Sequence, residues 1–290
     1  MIINKYRWSA GFGSCFLQLL DWYWFSSHTN IPIYSEWDYN DSNFFNDFFI
    51  QKQKKSSSYT VVDSYYTYSK FRSSEIDQIR YKEVPLYKKY NDCFFGKSEI
   101  YAENDFKNLL KMHNKLLTDN LSVKSIIPKF NFENTLGVHA RYIGHFYTDT
   151  NWKNSLREKL CEDDYYKNNL NQIIDTFEKN NFNKIYIGCD DEKFLDICKN
   201  HFKDKLLFQN YKRHLYHNFQ NRYSENDFNI HYKTRPALPI ENYNALVDIM
   251  ALSSCQHLIG SVSSFTFSTL VFNPDIKFEL FNTCAKVITT

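Results

Sequence analysis

From about residue 130 onward, short apolar runs alternate with longer amphipathic ones, and that alternation restricts the fold more than any other feature of the chain. "TLGVHAR" reads as a strand. "DDYYKNNLNQIIDTFEKN" reads as a helix, since Tyr166, Leu170, Ile173, Ile174 and Phe177 recur at helical spacing along one stripe. "KIYIGC" is a second strand, and "DDEKFLDICKNHF" a helix whose opening acids suit the positive end of its dipole. "LLF" continues as a strand, "NYNALVDIMALSSC" as a helix, "QHLIGS" as a strand and "SSFTFSTLVFN" as a turn into a helix. Strands joined by helical crossovers lie parallel and must be covered on both faces. The second half is therefore expected to be a doubly wound α/β domain.

The first half is less regular. "GFGS" looks like a glycine turn feeding a helix at "CFLQLLDWYWFSS", and "IPIYSEW" like a short strand. Residues 42–98 show no stable period. "DFKNLLKMHNKLL" has Leu109, His113, Leu116 and Leu117 near one helical face. Pro128 marks a boundary, so the chain divides into an N-terminal domain at 1–130 and a C-terminal one at 131–290, with no internal repeat.

Charge excludes one broad class of function. With 35 basic against 33 acidic residues, the chain lacks the basic excess of a duplex-binding protein, and its one basic run, "QKQKK", reads as a solvated loop. The 7 Gly and 6 Pro are too few for a turn-rich β-sandwich. Seven cysteines lie scattered without a CxxC pair or zinc-like histidine spacing, as buried small residues of a reducing compartment would. The first residues lack the apolar core of a signal peptide, and "CFLQLLDWYWF" is too short to span a bilayer and carries Gln18 and Asp21. The expectation is a cytoplasmic protein with no membrane span.

In sheets of this kind ligands sit beyond the carboxyl ends of the strands, and three strand ends here are polar. His139 and Arg141, two apart, share a side of one strand, and a guanidinium pairs bidentately with phosphate oxygens. An ordinary frayed strand end would look the same. Asp190 and Asp191 follow "KIYIGC", where a helix cap is the plain alternative. "SVSSFTFST" follows "HLIG": Ser261, Ser263, Ser264 and Phe265 form a turn whose N–H and hydroxyl groups suit a phosphate, or simply cap a helix. Asp248 lies among apolar neighbours, so it either has a buried partner or faces outward, since Leu246, Ile249 and Met250 already define an inner face. The chain has no Walker A, GxGxxG, HExxH or GxSxG sequence.

"GVHARYIGH" resembles the GVHxRR segment of the GDP-fucose-dependent fucosyltransferases, the α1,6 enzymes in particular. "KIYIGCDDEKFLDICK" is similar to the strand preceding an Asp-Asp pair in them, and "ALVDIMALSSCQHLIGSVSSFTFSTLVFN" to their last motif. "AGFGS" is similar to their early glycine turn. The α1,2 and protein O-fucosyltransferases have related segments. The likeness spans roughly 135–273, with three motifs in order. It implies a GT-B-like fold of two Rossmann-like halves facing a cleft, and inverting transfer of fucose from GDP-fucose to a glycan without an obligatory metal. By position, Arg141 would hold the β-phosphate and His139 the nucleotide. Asp190 or Asp191 and Asp248 would surround guanine and ribose, and Ser261, Ser263, Ser264 and Phe265 would form the phosphate turn. Asp149 falls where the general base is expected, with His145 as an alternative of more neutral pKa. The chain departs from the family by reading Tyr142, Ile143, Gly144 and His145 where a second Arg and Thr-Asp-Lys are usual. Another nucleotide sugar, or a non-catalytic binding module, stays open on that ground. Trp22, Trp24, Glu36, Trp37 and Asp38 are the candidates for an acceptor surface, with Glu36 and Asp38 as alternative bases, although an aromatic core would have the same composition.

Overall fold

A computed structural model describes residues 1–6, 12–39, 42–43, 45–63, 103–124, 131–141, 162–211, 239–261 and 263–281. The chain divides into two compact units, Met1–Ile127 with Tyr232–Leu246, and Pro128–His231 with Val247–Thr290.

Unit 1 is built on β1 (Ile2–Tyr6), which pairs in parallel with both β2 (Ile33–Tyr39) and β5 (Thr60–Asp63). The crossover from β1 to β2 is α1 (Phe12–Thr29). This helix is apolar on nearly every side and buried accordingly, from Phe12 and Phe16 through Leu20, Tyr23 and Phe25. It stops at Asn30, whose left-handed backbone (φ 57°) and N–H to the Ser26 carbonyl (2.9 Å) make an ordinary C-terminal cap. β3 (Ser42–Asn43) lies antiparallel to the end of β2, followed by α2 (Phe45–Phe48) and β4 (Phe49–Gln51). The Gln51 carboxamide accepts from Ser35 N–H (2.8 Å) and donates to Ser35 C=O (2.9 Å), so one side chain does the work of a neighbouring strand. α3 (Glu103–Asn120) buries Leu109, His113, Leu116 and Leu117, the expected stripe, together with Leu110, and β6 (Leu121–Val123) pairs with β4.

The tryptophans expected on an acceptor surface are core instead. Trp22 and Trp24 are each 7% exposed and Trp37 2%. The Trp37 ring meets Phe45 edge-on at 5.0 Å and Phe12 at 5.3 Å, the geometry that aromatic quadrupoles favour in an interior. Glu36 is also buried and bonded to Lys55 Nζ at 2.7 Å. Asp38 lies in β2 opposite Asn43.

Unit 2 contains a five-stranded, all-parallel sheet. Its strands are β7 (Thr135–Ala140), β8 (Lys184–Cys189), β9 (Leu206–Leu207), β10 (His257–Gly260) and β11 (Lys277–Leu280). They run in the order β11-β10-β7-β8-β9. The connecting helices are α4 (Glu162–Lys179), α5 (Glu192–Phe202), α6 (Pro239–Ser253) and α7 (Ser264–Phe272). α6 begins in unit 1 and passes to unit 2 after Leu246. All of the expected strands and helices of this half are present, and β11 is additional to them; in unit 1, β1, β3, α2, β4, β5 and β6 are additional to the elements read from the sequence.

The faces of the sheet differ. Leu136, Val138, Ile185, Ile187 and Ile259 point one way into a core with Tyr166, Ile173 and Phe177 of α4 and Phe194, Leu195 and Cys198 of α5. The other face meets α6 and α7. A Cβ on Gly188 would stand 3.1 Å from Leu252, and one on Gly260 only 2.5 Å from Thr266 Cγ2, so both glycines are what allow these helices to approach. The described cysteines, Cys15, Cys189, Cys198 and Cys255, are all buried. Burial pushes the thiols of Cys15 and Cys198 up to about 12. Among the described residues no helix is long and apolar enough to cross a membrane.

Candidate functional site

The strand order locates a site before any side chain is considered. From β7 the chain steps outward to β8 and β9, then returns to place β10 on the other side of β7. The helices that follow β7 and β10 therefore leave in opposite directions. The gap at the carboxyl ends of these two strands is the topological switch point, where doubly wound sheets bind ligands.

Two of the sequence candidates meet there. β7 and β10 are in register with His139 opposite Gly260. One step further, Ser261 N–H donates to the His139 carbonyl (2.9 Å), and Arg141 N–H donates to Ser261 Oγ (2.9 Å). The arginine strand end and the serine turn are thus stitched together, 120 residues apart in sequence. Ser263, extended at φ −161°, caps α7 by accepting the Thr266 N–H (3.1 Å), which is the ordinary capping role anticipated as the alternative. Ser264 and Phe265 open the helix and are partly exposed.

His139 is only 5% exposed. Its ring stacks on Phe265 at 4.3 Å, and Nδ1 lies 2.7 Å from Thr266 Oγ1. Burial, helped by the nearby Arg141 charge, lowers its pKa to about 3, so the imidazole is neutral at physiological pH.

The acids are placed differently. Asp191 is buried, caps α5 by accepting Lys193 N–H (3.0 Å), and also accepts the Tyr166 hydroxyl. Asp190, beside it, is partly exposed. Asp248 is 2% exposed and does not face outward. Its Oδ1 accepts from Tyr186 OH (2.6 Å) and Gln209 Nε2 (2.5 Å), and its Oδ2 from Tyr211 OH (2.7 Å). These donors meet the need of a buried carboxylate for partners. Burial and the adjacent Asp248 charge together hold the Tyr186 hydroxyl protonated far above its usual range. His145 and Asp149 lie outside the described residues. Among the described residues no group of three His, Cys, Asp or Glu is placed to hold a metal ion.

Four contributors have no counterpart in the sequence reading: Tyr186, Thr266, Gln209 and Tyr211. Thr266 has a local signal, because it stands three residues after the capping Ser263, at the position whose side chain can reach back toward the cap. Gln209 and Tyr211 follow a strand of two residues and have no local signal at all.

No protein-family model matches the sequence, and no curated protein sequence matches it. Among solved structures, the chain is similar to the apo form of POFUT1, with a TM-score of 0.50 at 11% identity, covering 97% of each chain. Two likenesses too loose to add to this are POFUT1 in complex with GDP-fucose (TM-score 0.49, 10% identity, 97% of each chain) and NodZ alpha-1,6-fucosyltransferase soaked with GDP-fucose (0.46, 14%, 93% of this chain and 92% of that one). At this identity what is shared is the fold: an α/β, GT-B-like architecture with two Rossmann-like halves, as the motif resemblance implied.

Proposed function

We propose that the chain is an inverting glycosyltransferase that moves fucose from GDP-fucose to a glycan hydroxyl, with Arg141 on the diphosphate. One observation carries this reading: the 2.9 Å bond from Arg141 N–H to Ser261 Oγ, which ties a guanidinium-bearing strand end to a serine turn at the switch point. The motif resemblance and the fold shared with POFUT1 support it.

In this reading residues 131–290 hold the donor and residues 1–130 the acceptor. The acceptor oxygen attacks the anomeric carbon opposite the leaving group, the bond from that carbon to the β-phosphate oxygen breaks, and its electron pair leaves with GDP. Asp149, or His145 in its place, takes the acceptor proton. The Arg141 guanidinium neutralises the charge that grows on the departing phosphate, which is worth most in a site that excludes water. That role needs no metal ion, so transfer persists in a chelator. Asp190 is partly exposed and takes the direct nucleotide contact. Asp191, Asp248 and His139, buried against protein partners, act by shaping the pocket wall.

A thermal-shift panel with GDP, UDP, CDP and GDP-fucose tests the reading, since a ligand that binds only the folded chain raises its melting temperature. GDP and GDP-fucose are expected to raise it and the other nucleotides to leave it unchanged. A flat response to all four, or a preference for UDP, overturns the assignment. A donor-hydrolysis assay then separates an enzyme from a module that only binds.

A further inference from the structure

Thr266 belongs to none of the groups expected to touch phosphate, yet the turn converges on its hydroxyl. The residue is completely buried. Its Oγ1 lies 2.7 Å from the Ser261 carbonyl, 2.7 Å from His139 Nδ1 and 3.3 Å from Ser263 Oγ. A carbonyl oxygen can only accept, so the single hydroxyl proton of Thr266 goes to Ser261. The short contact to His139 must then be a donation from the ring, because two facing lone pairs would repel. Nδ1 therefore carries the imidazole proton and Nε2 the lone pair. Ser263, which receives the Thr266 N–H at 3.1 Å, gives its own hydroxyl proton to Thr266 Oγ1. The oxygen donates once and accepts twice, which is all a hydroxyl can do.

Other hydroxyls of the same helix behave differently. Ser268 returns its proton to the Ser264 carbonyl (2.8 Å) and Thr269 to the Phe265 carbonyl (3.1 Å), each one turn back in the helix. Thr266 instead reaches outside α7, to the turn and to β7. Two of its three partners lead to Arg141: Ser261 Oγ accepts the Arg141 N–H, and His139, two residues before Arg141, is tied to the same serine through its carbonyl and the Ser261 N–H.

We propose that Thr266 is a positioning residue of the diphosphate site: its hydroxyl aims the Ser261 turn and locks His139 in the Nδ1–H form beside Arg141. The proposal rests on reading these strand ends as the donor site. Thr266→Val keeps the shape and removes the hydroxyl, whereas Thr266→Ser keeps the hydroxyl. Two readouts are taken on each: GDP affinity by calorimetry, and the His139 tautomer by long-range nitrogen–proton NMR.

The parent and T266S are expected to show the Nδ1–H pattern and to bind GDP within about twofold of each other, while T266V loses that pattern and weakens GDP binding by about tenfold or more. A T266V variant that keeps both overturns the proposal, as does a T266V that changes the tautomer without changing GDP affinity. The ring measurement on the parent needs no variant, so it decides even where T266V does not fold: an Nε2–H ring sinks the assignment. If the parent binds no GDP while its ring is Nδ1–H, the donor-site reading fails and the proton assignment stands.

Discussion

The two faces of the five-stranded sheet are equally dry and oppositely built. On the α4/α5 face, Leu136, Val138, Ile185, Ile187 and Ile259 are completely buried within one apolar cluster. On the α6/α7 face, Tyr186, Asp248, His139 and Thr266 are buried almost as fully, but are joined by directional bonds. Transfer of apolar surface from water has no direction, so the first face tolerates exchange among side chains of similar volume. A buried donor or acceptor tolerates little, because losing its partner leaves a desolvation cost of about 1–3 kcal/mol. On this face His139 and Thr266 are the bonded pair at the carboxyl ends of β7 and β10, the switch point.

The sharpest test of the contrast is Arg141→Ala. Arg141 stands at the end of β7 and is partly exposed, so its loss should leave the thermal midpoint near that of the parent. Under the proposed function, GDP-fucose turnover should fall by about a thousandfold, the scale on which one charge-stabilising group acts. Initial rates measured beside a melting curve check this. Normal turnover would detach the polar face from any chemistry.

Ile187→Ala works on the other face. Truncating a fully buried aliphatic side chain should cost about 2–5 kcal/mol in urea unfolding, and the protein that remains folded should bind GDP as the parent does. Gly260→Ala should show the reverse pattern. Its new Cβ meets Thr266 Cγ2 at 2.5 Å and Oγ1 at 2.8 Å, so overpacking costs a smaller 1–3 kcal/mol or so, but GDP affinity falls with it. If both variants lose stability and affinity in the same proportion, the faces are not functionally distinct.

The smallest effect is a slope against pH. His139 in unit 2 and His113 in unit 1 both have pKa values lowered to about 3, by burial in each case. As pH falls below the ordinary histidine value of about 6.5, the unfolded chain takes up protons that the folded chain refuses. Stability from these groups is therefore complete above that pH and is lost progressively down to about 3, at up to about 1.4 kcal/mol per pH unit for each ring. His113→Leu should remove one proton's worth of slope and leave GDP binding intact. An unchanged slope in chemical denaturation across that window would show that His113 is charged in the folded chain.

Much of unit 2 was legible because its periods are strong. The α4 stripe through Tyr166, Ile173 and Phe177 is buried as its spacing demands, and "KIYIGC" is a strand. β11 was missed because "KFEL" lies at the sheet edge, where Lys277 and Phe278 stay exposed and no continuous apolar run is needed. β1 was missed because only five residues, with Asn4 and Lys5 among them, carry the signal. The tryptophans of α1 and β2 were misread for a different reason: an interior and a sugar-binding surface draw on the same aromatic residues. The sequence leaves the orientation of Asp248 open because Leu246, Ile249 and Met250 suggest a single inner face, whereas Leu246, Val247, Asp248 and Ile249 are all buried in turn. A helix enclosed on several sides has no single inner face.

What the sequence determined alone was local: where the strongly periodic strands and helices of the second half run, which residues of a clear stripe such as that of α4 turn inward, and that arginine and serine stand at strand ends. These follow from spacing and from the chemistry of each residue within a few positions. Tertiary structure alone decided that β10 lies beside β7, and so that Arg141 and Ser261 share a hydrogen bond across 120 residues. Strand neighbours are chosen by the burial of both sheet faces and the handedness of the crossovers, properties of the whole layer that no short window contains.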